Sequence, residues 1–202
     1  MACTQIGTYE GDPKNLVAYV LEVDPDGKCE ACRVGANSPG AVADHEKLMR
    51  FVFSPIHINK SNEKVLELDE TLVNDAFDKG CSVHRMGQSE EKPRIAQLHD
   101  KGENLAAGVR GGVSGRPPQP NRTYIGAIDF IALEVRGTEL SGSRGRVRIY
   151  DISQKDDCLH ADVIVDCRDL DKRQKKQLKA ELFARMTKNR ISNSPYLAIV
   201  RA

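Results

Sequence analysis

The chain contains no tryptophan and only five tyrosines and five phenylalanines in 202 residues. A core with so few rings has to be filled by Leu, Ile, Val and Ala. No stretch approaches the roughly 18 consecutive apolar residues of a membrane-spanning helix. The opening Met1-Ala-Cys-Thr-Gln-Ile6 lacks the basic and apolar regions of a secretory signal, so the cytosol is the expected compartment. There is no Gly-x4-Gly-Lys-Ser/Thr string, and no strand followed by Gly-x-Gly-x-x-Gly at a helix start. ATPase and dinucleotide oxidoreductase chemistry therefore have no sequence support. No internal repeat is present.

What is present fits a globular protein. Hydrophobic residues make up 40 % and charged residues 29 %, too apolar a mixture for a disordered chain. The length suits one domain able to bury most of its apolar surface. The expected architecture is a single α+β domain over residues 1–202. It has a mostly antiparallel sheet, a C-terminal amphipathic basic helix, a terminal strand at 196–200, and a flexible Gly/Pro/Arg-rich loop at about 101–122.

The segments behind that expectation are uneven in kind. Residues 16–23 (LVAYVLEV) are apolar, β-branched and closed by Asp24-Pro-Asp-Gly27, which predicts a strand, with 28–34 as its hairpin partner. Residues 48–58 read as extended, with Pro55 breaking any central strand. Asp69 is placed to cap a short helix over 69–78 that Gly80 ends, and 81–85 reads as a strand. A helix is expected at 89–98, and strands at 124–136, 146–152 and 158–166.

Charge is balanced overall at +1, but not locally. Between residues 169 and 190 eight Lys or Arg face three acids, a local net of +5. Leu170, Leu178, Leu182, Phe183 and Met186 form an apolar stripe to dock this helix. Lys172, Arg173, Lys175, Lys176 and Lys179 cover its other faces, with few acids at i,i+4 to pair with them. Two partners would use such a face, the phosphates of a nucleic acid or an acidic protein surface. The chain's own acidic N-terminal third would serve equally. Arg110 and Arg116 in the glycine-rich segment extend the same expectation, since flexible Gly/Arg segments can track a nucleic-acid backbone. The bland alternative is a solvated helix face.

The candidate catalytic residues are His57, His84, Arg85 and His160. Histidines brought together beside an arginine would suit acid/base work on a phosphodiester of RNA or a nucleotide. The repeated His-x-Ser/Thr tripeptide that usually signals such a site is missing. His84 and Arg85 are adjacent on a strand, so they are expected on opposite sheet faces. His160, Asp162, Ile164 and Asp166 are expected to share one face, where a metal or simply solvent would explain the pattern. The alternative for every histidine is a structural hydrogen bond.

Six cysteines (3, 29, 32, 81, 158 and 167) offer one close pair, Cys29-Glu-Ala-Cys32. That spacing suits two zinc thiolates, with Cys158, His160 or Cys167 to complete the set, although ordinary reduced thiols explain it as well. The strings Phe53-Ser-Pro-Ile-His57, Gly80-Cys-Ser-Val-His-Arg85 and Leu159-His-Ala-Asp162 give an order of elements that resembles bacterial proteins without assigned chemistry. The likeness implies no activity. The expected function is a non-catalytic binding or accessory subunit, with a hydrolase or transferase on RNA or a nucleotide as the alternative.

Overall fold

A computed structural model describes residues 2–34, 38–59, 67–86, 92–110, 113–114, 122–140, 145–152 and 157–188. In chain order the elements are α1 (Ala2–Gly7), α2 (Leu16–Val23), β1 (Lys47–Ser54), β2 (Ile58–Asn59), β3 (Glu67–Leu68) and β4 (Cys81–Arg85). There follow α3 (Lys92–Ala106), β5 (Val109–Arg110), β6 (Val113–Ser114), β7 (Thr123–Ile131), α4 (Ala132–Arg136), β8 (Arg146–Tyr150), β9 (His160–Asp166) and α5 (Lys172–Thr187). Short 3₁₀ helices run over Pro13–Asn15, Lys28–Ala31 and Glu70–Phe77. The fold is α+β.

The main sheet has five antiparallel strands in the order β7-β1-β4-β9-β8. The period-2 alternation of each strand sorts its side chains onto two faces, and both are covered. On the first face Leu48, Val52, Val83, Phe130, Ile149 and Val163 meet Leu72, Val73 and Ala76 of the Glu70–Phe77 turn, Val135 of α4, and Leu178, Leu182 and Met186 of α5. The second face carries two separate apolar clusters. Tyr150 and Ile164 lie under α1 and α2, whereas Met49, Phe51, Phe53 and Tyr124 lie under α3. The strip between them, carried by β4 and β9, is polar.

Several sequence expectations change here. Residues Leu16–Val23 form an α-helix, because Leu16, Val17, Val20 and Leu21 turn one side into the second-face core. Residues 28–34 are no hairpin arm, and Lys28–Ala31 is a 3₁₀ turn. The 124–136 segment is a strand only to Ile131 and then bends into α4. The helix expected at 89–98 runs over Lys92–Ala106, so the first part of the supposed 101–122 loop is helical, and β5 and β6 pair beyond it. The helix passes through Gly102 because the Tyr124 ring sits where a Cβ would project, 2.5 Å from its nearest carbon. The terminal strand at 196–200 lies outside the described residues.

Other expectations hold. Asp69 caps the Glu70–Phe77 turn by accepting from the Thr71 amide at 2.8 Å. Gly80 follows at φ +79°, and a Cβ there would come 3.0 Å from the Asp162 carboxyl carbon. β4 begins at the next residue. Among the described residues no helix is long and apolar enough to cross a membrane.

Candidate functional site

Helix α5 starts with a reciprocal cap. Asp171 accepts from the Gln174 amide at 2.8 Å, and the Gln174 side chain accepts from the Asp171 amide at 2.9 Å. Leu178, Leu182 and Met186, spaced at i, i+4 and i+8, are fully buried. That docking turns Lys172, Arg173, Lys175 and Lys176 outward, all exposed, and no carboxylate among the described residues pairs with any of them. Lys179 is half-buried, with its Nζ 3.7 Å from Glu70. The second half of the helix is different. Arg185 pairs with Glu181 at 2.8 Å, and Lys188 with Glu134 at 3.5 Å.

The first turn of α5 contains no acid, so Lys172 and Arg173 stand at the positive pole of the helix dipole. That placement opposes helix stability. The acidic N-terminal third does not compensate it. Glu30 pairs with Arg136, Asp26 with Lys28, and Asp24 accepts from local amides and from Tyr150. Of the glycine-rich segment's arginines, Arg110 lies on β5 with its side chain outside the description, and Arg116 is outside the described residues altogether.

His84 and His160 do converge. They are cross-strand partners on β4 and β9, with ring centroids 5.8 Å apart. His84 stacks on Phe51 at 4.4 Å, and its Nδ1 lies 2.9 Å from Asp157, which also accepts from Lys101. Burial lowers the His84 pKa to about 4, against the opposing pull of Asp157. Burial alone would raise Asp157, but the His84 and Lys101 hydrogen bonds outweigh it and hold that carboxyl low. His160 places Nδ1 2.7 Å from the Ile152 carbonyl, which can only accept, so Nδ1 carries a proton. Nε2 faces Asp162 Oδ1 at 3.8 Å, and neither atom has a hydrogen-bond partner. Burial raises the Asp162 pKa, offset in part by His160 and Ser82. The row is closed to solvent, with His84 and His160 only 3 % and 2 % exposed.

The other two candidates stand elsewhere. Arg85 projects from the opposite sheet face, as its position beside His84 requires. Its Nε and Nη2 hold Glu46 bidentately at 2.6 and 2.7 Å. Nη1 reaches Gly40 O and Asp151, and Nη2 also reaches Ala41 O, so all five N–H donors are engaged. None is left to hold a phosphate. His57 accepts from the Phe53 amide through Nδ1 at 3.1 Å, and burial followed by Arg50 and Arg122 lowers its pKa to about 3. It closes the turn after β1.

The strand face of His160, Asp162, Ile164 and Asp166 is shared as expected, but it is not solvated: every residue of β9 is buried. Sequence reasoning missed the group that makes this possible. Arg148, fully buried, donates to Asp166 at 2.5 Å and to the Asp24 and Pro25 carbonyls at 2.7 Å. Arg168 adds Asp166 at 2.9 Å and the Leu21 carbonyl at 2.9 Å. Two guanidinium groups thus cap the C-terminal end of α2. The only sequence signal was arginine alternating with Val and Ile in β8.

The cysteine pair acquires a third member that spacing did not suggest. Cys3, on α1, joins Cys29 and Cys32, and the three sulfurs lie within 4.8 Å of one another, a group able to hold a metal ion. Cys158, His160 and Cys167 take no part in it. Cys158 is exposed before β9, His160 belongs to the histidine row, and Cys167 packs against the first-face core. Burial and then contact with Cys3 raise the Cys29 pKa, while for Cys32 the Cys3 contact comes first and burial second. No protein family matches the chain, and no curated protein or solved structure is significantly similar to it.

Proposed function

We propose that the protein is a non-catalytic binding or accessory subunit that grips an anionic partner, nucleic acid or an acidic protein surface, with the first two turns of α5. One observation carries this reading: Lys172, Arg173, Lys175 and Lys176 are exposed with no carboxylate partner among the described residues, and the first two stand at the helix end where cations cost stability. A merely solvated face would favour acids in that turn. The alternative enzyme reading is less supported, since Arg85 has no free donor and the converging histidines are buried.

The test is a titration of labelled RNA, duplex DNA and polyglutamate-competed mixtures by fluorescence anisotropy at low and moderate salt. Binding that weakens steeply with salt and disappears when the four cations become Glu supports the nucleic-acid form. Loss of RNA and DNA binding alongside retained binding to an acidic polypeptide supports the protein form. Absence of both overturns the proposal.

A further inference from the structure

We propose that Cys3, Cys29 and Cys32 form a three-thiolate site for one zinc ion, which ties the N-terminal helix to the turn after α2. The site lies on the opposite side of the sheet from α5 and stands independently of the binding reading. Sulfur atoms around a tetrahedral zinc, each about 2.3 Å from the ion, are about 3.8 Å apart. The present spread, within 4.8 Å, reaches that by a small contraction. An all-sulfur set selects a thiophilic ion and disfavours magnesium, calcium or manganese.

The scaffold around the thiols is already fixed. Cys29 lies in the 3₁₀ turn and Cys32 closes it, with the Cys32 amide donating to Cys29 O at 3.1 Å. Asp24 accepts from the Lys28 amide at 2.9 Å, the Cys29 amide at 2.8 Å and the Tyr150 hydroxyl at 3.0 Å, so it orients the turn without being a ligand itself. Cys3 is brought in by α1, whose Ile6 is buried in the same core as Val17, Val20 and Leu21. Cys29 is buried, whereas Cys3 and Cys32 are half-buried, which leaves the ion a path from solvent. Three thiols facing one another have only weak S–H contacts to offer. Zinc replaces these with three S–Zn bonds as each thiol releases its proton to solvent, with no change in oxidation state. Water fills the fourth position.

The reduced, metal-stripped full chain is titrated with cobalt(II) and then with zinc. One cobalt per chain is expected, with a sulfur-to-cobalt charge-transfer band and tetrahedral visible bands that one equivalent of zinc abolishes. Calorimetry in two buffers is expected to read release of about three protons per zinc. Cys3→Ser and Cys32→Ser, at half-buried positions, are each expected to weaken zinc at least ~10-fold while Cys158→Ser does not. Zinc is also expected to raise the melting temperature of the native chain and not that of Cys3→Ser. Far-UV circular dichroism of each metal-free variant verifies folding. Absence of the charge-transfer band in the folded, reduced chain overturns the proposal, as does a band unaffected by Cys3→Ser.

Discussion

Single side chains in this molecule mostly work inward. His57 is the clearest case, because its Nδ1 accepts the Phe53 amide and its pKa is lowered to about 3. In the unfolded chain it takes up a proton near pH 6.5, whereas the folded chain does not until about pH 3. The unfolded state therefore binds more protons across that window, and His57 removes stability as pH falls through it. Relative to His57→Asn, the native chain is expected to lose about 1.4 kcal/mol per pH unit between about pH 6 and 4. Urea midpoints at several pH values measure this, and parallel curves for the two proteins would refute it. Arg148 makes a second residue-scale expectation. Arg148→Met leaves Asp166 with Arg168 alone and removes one of the two guanidinium caps of α2, and is expected to cost about 3 kcal/mol in urea unfolding. A change inside 0.5 kcal/mol, roughly that of an ordinary surface substitution, would show the buried pair to be dispensable.

At the scale of elements, the role proposed for α5 sets helix stability against anion binding. Replacing Lys172 and Arg173 by Glu puts acids at the positive end of the helix dipole, an exchange that ordinarily favours a helix. The double variant is expected to melt higher than the native chain while binding anions less well. A lower melting temperature would mean the two cations make stabilising contacts. The same scale shows what the sequence made legible. Residues 172–187 were readable because their apolar positions follow helical spacing, whereas the Asp171 cap that starts the helix emerges only in the structure. The Leu16–Val23 helix was not, since eight almost uniformly apolar residues fit a strand or a buried helix equally well. The second half of α3, past residue 98, was hidden by Gly102, whose reason, the approach of Tyr124, comes from a strand more than twenty residues away.

For the whole molecule, the sheet separates the candidate chemistries. One face supports α5 and its basic turns, and the other supports the histidine row and the cysteine cluster. Adjacent residues on β4 already implied this division, because His84 and Arg85 had to point apart. Which histidine would meet which carboxylate was not implied, since Asp157 and Lys101 reach His84 from separate parts of the chain. Cys3 was equally hidden, as a lone cysteine 26 positions before its partner carries no spacing signal. The α+β class, the antiparallel sheet and the docked basic helix are properties of pattern. The site details are properties of packing.

The most direct measurement of the proposed role is the salt dependence of anion binding, compared between the native chain and the variant with Lys172, Arg173, Lys175 and Lys176 all changed to Glu. If the four cations each contact a phosphate of duplex DNA, the logarithm of the binding constant is expected to fall with the logarithm of salt concentration at a slope of about −3.6. The variant is expected to show no measurable binding. A slope near zero, or one that survives the charge reversal, would contradict a role for α5 in nucleic-acid binding. Absence of acidic-polypeptide binding as well would contradict the role altogether.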